Sequence, residues 1–271
     1  MVKLRWEKSI VSLWWNKLTQ RPYDALITSD KVVLSLDDKP VASVMLKPPV
    51  GVETFDDRMV RTLKTAMDQT PANGQSANIW LSLSMVSLAV VDIDVRAMST
   101  ANILATLKAY WQDVLDVPAA TLALTYQVQT DGRSIVSCCS DLALIEAIHA
   151  TMRSSGWTAK NIAPSVVKTF HHGRKQMRTK DYCLLIFQDK VLSIGIHLNG
   201  RWIAWTSEGC DNNDWAEFAN RTRRFCRSTG LCEPLSVSVW IDAPETMGAP
   251  SLGGLNNWSL LNALPTTGLV A

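Results

Sequence analysis

A chain of 271 residues with 47% hydrophobic and 19% charged residues is long enough for one two-lobed unit or two domains, and too apolar for disorder. Its formal net charge of +2 leaves no general basic field, so contact with nucleic acid or an anionic membrane would have to rest on a local patch. No apolar run approaches the roughly eighteen residues of a membrane span, and the N-terminus has neither an uninterrupted apolar core nor a small-residue cleavage site, so a cytoplasmic protein is expected.

Residues 1–23 form the first predicted unit, a helix-prone segment over residues 3–21. It carries Lys3, Arg5, Lys8, Lys17 and Arg21 against Glu7, and places Trp6, Ile10, Leu13, Trp14 and Leu18 close to helical spacing. Basic residues flanking Trp14 and Trp15 suit a membrane-surface helix. A terminal helix docked on its own domain has the same pattern and is the preferred reading, because Lys3 and Lys17 interrupt the apolar arc.

The first lobe is expected over 24–170. It opens on DALITSDKVVLSLDDKPVASVML, three strands joined by tight turns, and a helix over 56–68 follows with Met59, Leu63 and Met67 on one face. An inserted α/β subdomain is expected at about 78–140. It holds apolar runs at 78–83 and 87–93, a helix capped by Ser99 or Thr100 with Ile103, Leu107, Trp111 and Val114 inward, and a hairpin across Thr130-Asp131-Gly132. Asp141 then caps a helix carrying Leu142, Ile145, Ile148 and Met152, and a short strand at 157–162 leads to a helix started by Pro164.

Residues 171–180, HHGRKQMRTK, read as a basic linker. The second lobe, 181–242, opens on DYCLLIFQDKVLSIGIHLNGRWIAWTSE, again three strands, with Asn199-Gly200 suited to a two-residue hairpin that needs positive φ. A helix with Trp215, Phe218, Thr222 and Phe225 on one side and a strand at 235–241 complete it. The tail, 243–271, is rich in turn formers, and only 258–264 resembles a short helix.

Aligning Asp30 with Asp189 places Leu26, Ile27, Lys31 and Val32 on Leu185, Ile186, Lys190 and Val191, so a strand, strand, strand, helix unit occurs twice. Such a duplication with an inserted α/β subdomain resembles the actin-like (ribonuclease H-like) two-lobed α/β fold. ALITSDKVVLSL, TYQVQTDGRSIVSCCSDLALIEAIHATMRSSGWTAKNIAPS and CLLIFQDKVLSIGIHLNGRWIAW carry the resemblance. The version is similar to the cytoplasmic modules of PilM, GspL and MshI, components of type IV pilus and type II secretion assembly.

The resemblance implies a non-catalytic scaffold at the inner face of a bacterial inner membrane. Its partners would be proteins of a membrane assembly machine: the short cytoplasmic tail of a bitopic protein, or the assembly ATPase. Nucleotide-binding members carry an Asp and glycines in the turn between the first two strands of each lobe, where backbone N–H groups meet phosphate and a carboxylate holds Mg²⁺. Here those turns read Ser29, Asp30, Lys31 and Gln188, Asp189, Lys190, without glycine. No cofactor is therefore expected. ATP with Mg²⁺ enters only under the alternative, an actin-like ATP-binding protein or phosphotransferase with degenerate motifs, in which Asp30 and Asp189 would hold the metal.

Other constellations are weaker. The six cysteines show no CxxC pair or zinc-type spacing and read as structural thiols. Asp92 and Asp94 share a strand face, as a two-metal nuclease would require, but such a site needs further acids, for which Asp24 and Asp242 are the candidates. Arg174, Lys175, Arg178 and Lys180, with His171 and His172, could meet phosphate or anionic lipid but lack interleaved aromatics, so a solvated linker is preferred and no nucleic acid is expected. His149 and His197 have no spaced nucleophile and read as structural. LPTTG at 264–268 matches a sortase motif without the flanking segments that such a signal needs.

Overall fold

Both three-strand meanders form, and each opens a five-stranded sheet. The computed structural model describes residues 22–70, 75–173, 181–211, 215–231, 236–241 and 258–261. Strands β1 (Tyr23–Ile27), β2 (Lys31–Leu36) and β3 (Lys39–Met45) pair antiparallel, and β1 continues in parallel to β4 (Ser76–Leu81) and then β8 (Thr158–Pro164). Between the last two lies a separate three-stranded sheet of β5 (Ser87–Asp92), β6 (Leu122–Val128) and β7 (Ser134–Asp141), in the order β5-β7-β6.

The second five-stranded sheet is built from β9 (Tyr182–Gln188), β10 (Val191–Leu198), β11 (Arg201–Gly209), β12 (Ser236–Ile241) and β13 (Trp258–Leu261). Its order, β11-β10-β9-β12-β13, repeats the first sheet's β3-β2-β1-β4-β8, antiparallel pairs first and parallel pairs after. The duplication read from the sequence is thus a duplication of topology.

Helix α1 (Phe55–Asp68) starts at Thr54, whose hydroxyl accepts from the Asp57 N–H while the Asp57 carboxylate accepts from the Thr54 N–H at 3.0 Å, a reciprocal cap. Its buried stripe of Met59, Leu63 and Met67 packs on β2, β3 and α3 (Leu142–Ser154). Asp141 caps α3 by accepting from the Ala143 N–H at 2.7 Å. Helix α2 (Thr100–Leu115), capped by Ser99, buries Ile103, Leu107 and Trp111 against the insert sheet. The short α4 (Ser165–Gly173) lies over β4 and β8, and α5 (Trp215–Ser228) buries Phe218, Thr222 and Cys226.

Strand β9 is buried along its whole length because its two faces serve two cores. Cys183, Leu185 and Phe187 face α5, whereas Tyr182, Leu184 and Ile186 join the core of the first lobe. Over that second face, Trp202 and Trp205 meet edge to face with centroids 4.8 Å apart, and Phe170 and Tyr182 also pack on Trp202. The rings pass directly over Gly195, where a Cβ would lie 2.4 Å from Trp205 Cε3 and 2.7 Å from Trp202 Cζ3. Gly195→Val should therefore lower stability by about 1–3 kcal/mol through overpacking, measured as a lower midpoint in urea unfolding.

Several expectations change. The insert, expected from about residue 78, begins only after Leu81, because β4 pairs with β1 in the first sheet. Val114, expected inward, is 53% exposed. The segment expected as a helix over 258–264 contributes β13, since parallel pairing with β12 satisfies its backbone. The N-terminal segment with Lys3, Arg5, Lys8, Trp14 and Trp15, the linker cations Arg174, Lys175, Arg178 and Lys180, and most of the tail lie outside the described residues.

Candidate functional site

The loops that matter sit where the two lobes meet. Parallel pairing aligns Ile27 with Leu81, so β1 and β4 end together and their exits, Thr28–Asp30 and Ser82–Ser84, run side by side. The Ser82 N–H donates to Ile27 O at 2.9 Å and fixes that alignment. Thr28 Oγ1 donates to Asp30 Oδ1 at 2.6 Å and accepts from the Lys31 N–H at 3.1 Å, leaving Ser29 at the tip. The site is therefore lined by short hydroxyl side chains and one forward-facing N–H.

Into it projects Asp189, from the β9–β10 turn of the other lobe. Ser29 donates to it twice, from its N–H to Oδ2 at 2.7 Å and from its hydroxyl to Oδ1. The Ser82 hydroxyl donates to Oδ2 at 2.7 Å, and the Ser84 hydroxyl donates there as well. One carboxylate thus accepts four hydrogen bonds across the interlobe boundary. Partial burial alone would raise the Asp189 pKa, but the hydroxyls of Ser29, Ser84 and Ser82 and the Ser29 N–H outweigh it and hold the carboxyl below its usual range.

The turn that carries Asp189 has a strained backbone. Asp189 and Lys190 take φ of 54° and 58°, the left-handed region, without a glycine between them. Each such residue costs on the order of 1 kcal/mol, least for Asp, whose short polar side chain tolerates that conformation. Next to it, the Ser165 hydroxyl at the start of α4 donates to the buried Gln188 Oε1, adding another contact between lobes.

Of the six turn residues singled out by sequence, the structure brings Ser29 and Asp189 together, through the Asp189 side chain. Asp30 turns back to Thr28, and Gln188 faces Ser165. The backbone carbonyl of Lys31 accepts from the Thr28 N–H at 2.9 Å, and that of Lys190 from the Cys210 N–H at 2.8 Å. Ser82 and Ser84 were missed. Their signal was the end of an apolar run parallel to β1, which the expected insert boundary at 78 concealed.

Among the described residues, which do not include Asp242, the nuclease arrangement does not assemble. Asp24 lies on the first sheet, accepting from Trp80 Nε1 at 2.8 Å and from Lys168 Nζ at 2.7 Å, whereas Asp92 lies on the insert sheet. Asp94 is engaged by the Arg96 side chain, which with the Arg96 N–H lowers its pKa to about 2. Among the described residues no group of three or more His, Cys, Asp or Glu side chains could hold a metal ion. His197 stacks on Tyr182 with centroids 4.7 Å apart.

Five of the six cysteines, Cys138, Cys139, Cys183, Cys210 and Cys226, are described, and all five are free and buried. Burial pushes the Cys138 thiol up to about 12.

Comparison with solved structures places the fold. A protein from Bacteroides thetaiotaomicron described as having an actin-like ATPase fold and unknown function superposes with a TM-score of 0.58, at 7% identity, covering 90% of this chain and 91% of that one. The fold is actin-like. The PilM-PilN type IV pilus biogenesis complex gives a TM-score of 0.62 at 10% identity, covering 89% of this chain and 88% of that one. The cytoplasmic domain of EpsL, an inner membrane component of the type II secretion system of Vibrio cholerae, gives 0.53 at 10% identity, covering 84% and 85%. No protein-family model matches the sequence, and no curated protein is significantly similar to it. No helix among the described residues is long and apolar enough to cross a membrane. In this actin-like chain the two lobes meet through Asp189 and three serines at their facing turns.

Proposed function

We propose that the chain is a non-catalytic actin-like scaffold whose lobes are closed by its own carboxylate and not by a nucleotide. It works by holding protein partners of a membrane assembly machine: the cytoplasmic tail of a membrane-spanning component, or the machine's ATPase. One observation carries the reading. The donors that a phosphate would need at the lobe junction, the Ser29 N–H and the hydroxyls of Ser29, Ser82 and Ser84, are already taken by Asp189. A phosphate there would have to expel a carboxylate whose negative charge also repels it.

Likeness to the PilM-PilN complex and to the EpsL cytoplasmic domain supports the partner class and a place at the inner face of a bacterial inner membrane, reached through a partner. Sites for such partners are grooves and sheet surfaces, where backbone pairing and apolar pockets give affinity without reactive side chains. Titration of the purified protein with Mg-ATP in a calorimeter is the direct test. The expected result is no saturable heat. Saturable binding that Ser29→Ala abolishes would overturn the scaffold reading in favour of an ATP-binding protein or phosphotransferase.

A further inference from the structure

The fold guards most of its sheet edges. Strand β3 carries Lys39, Pro40 and a register shift beside Leu34, and β8 carries Lys160, Pro164 and a shift beside Ala77. Strand β5 lies against β11, whose backbone at Trp202 is bonded by Gln129, and β13 is four residues long. Lysine, proline, bulges and shortness are what keep an edge from pairing with another chain. Strand β6 has none of them. Its seven residues, LALTYQV, are uncharged, contain no proline and pair with β7 without a register shift.

The open side of β6 follows from its ladder. The Gln129 N–H donates to Ser134 O at 3.0 Å, so the alternate residues Gln127, Thr125 and Ala123 bond β7, whereas Leu124 and Val128 turn their N–H and C=O groups away from it. Those groups have no hydrogen-bond partner among the described residues. The Leu124 and Val128 side chains are half-buried against the core under α2. Helix α2 rests on Val91 of β5, Ile135 of β7 and Leu122 of β6, so it lies over the middle of the sheet. Near the turn into β6, Val114 and Leu115 are 53% and 37% exposed.

We propose that two copies of the chain join through β6, antiparallel about a two-fold axis at Tyr126, into one continuous sheet. In that register Leu124 of each copy faces Val128 of the other, and the outward N–H and C=O groups of both residues close on one another as backbone hydrogen bonds. Apolar side chains meet on the α2 side, Thr125 meets Gln127 on the other face, and no like charges are opposed. That self-complementarity selects a second copy over an arbitrary strand. Strands lie about 4.8 Å apart, so the two middle strands and the helices over them stand roughly 14 Å apart, which leaves room for two helices about 10 Å wide. Each helix then comes beside the Val114 and Leu115 of the other. The pairing uses the insert sheet alone, so it is independent of what the lobe junction binds.

Sedimentation equilibrium of the full-length protein tests it, together with hydrogen exchange read by mass spectrometry on peptides spanning 122–128 at several protein concentrations. The expected result is a reversible monomer–dimer equilibrium. The amides that β7 does not use should exchange more slowly as the unpaired fraction falls, by about tenfold when roughly nine chains in ten are paired. Leu124→Pro removes an N–H that faces away from β7, so it should give a folded monomer with unchanged near-ultraviolet circular dichroism. Leu124→Lys, which places a charge on the edge, should do the same. A wild-type protein that stays monomeric at every concentration would overturn the proposal, as would a dimer that both substitutions leave intact. So would amides equally slow at every dilution, which would mean that the chain covers its own edge.

Discussion

Asp189→Ala is expected to lower the free energy of unfolding by about 2–4 kcal/mol and to expand the molecule measurably in small-angle scattering. Hydrogen bonds to a charged group are each worth about 1.5–3 kcal/mol. The four that Asp189 accepts share two oxygens and sit at a half-open boundary where water can replace some of them, so they do not sum. Asp189→Gly should be milder, because it removes the same carboxylate but relieves the φ of 54°.

The pH dependence distinguishes charge from shape. The folded pKa of Asp189 is depressed, so its stabilisation is fully present above the unfolded value of about 4 and is lost as pH falls through the folded value. Asp189→Asn should therefore flatten the acid limb of the stability curve while leaving the neutral-to-alkaline side parallel to wild type. An unchanged acid limb, with stability within error of wild type, would show that the carboxylate does not hold the lobes.

Much of this architecture could be read from periodicity, and the reasons it stopped where it did are local. The meanders were legible because Asp24–Met45 and Asp181–Glu208 are short apolar, strand-like runs set between turn signals such as Asn199-Gly200, whose φ values of 52° and 82° are those the dipeptide favours. Strand β4 was assigned to the wrong sheet because SANIWL alternates as a half-buried strand of either sheet would, and nothing in it marks its partner. Strand β13 was lost for a related reason, since four residues are too few for period 2 to be told from period 3.6.

The site itself was half legible. The glycine-free turns singled out by sequence are the two that face each other at the lobe junction, and aligning Asp30 with Asp189 brought the right two turns together. The register was off by one. Thr28 bonds Lys31 across the first turn, and Gln188 pairs with Val191 across the second, so the residue topologically equivalent to Asp189 is Ser29. That the two equivalent positions bond each other is a contact between distant segments, with no local signature. Serine at 82 and 84 is likewise unremarkable until the parallel register sets it beside residue 29.

Gln129→Leu is expected to cost about 2–5 kcal/mol, although Gln129 lies in a hairpin turn far along the chain from the lobe junction. Its amide imitates a strand: Nε2 donates to Trp202 O at 2.6 Å and Oε1 accepts from the Trp202 N–H at 2.6 Å, while Nε2 also donates to Ser134 Oγ at 2.8 Å. Trp202 belongs to β11, an edge strand whose backbone would otherwise lack partners there. Leucine would fill the space but strand that N–H and carbonyl among apolar groups, at about 1–3 kcal/mol each. The neighbouring Arg201–Asp131 ion pair is partly exposed and should contribute about 1 kcal/mol or less, so Arg201→Ala is the control. Trp202 pairs with His197 near the end of β10, and Asp189 precedes its start, so the two fastenings stand roughly 20 Å apart at opposite ends of one strand. Sites that far apart add within about 0.5 kcal/mol when the protein unfolds as one unit. In urea unfolding, Asp189→Ala combined with Gln129→Leu should therefore give the sum of the single losses in a single transition. A split transition would instead mean that the second lobe swings free before either core melts, and that these two contacts are what keep the lobes in register.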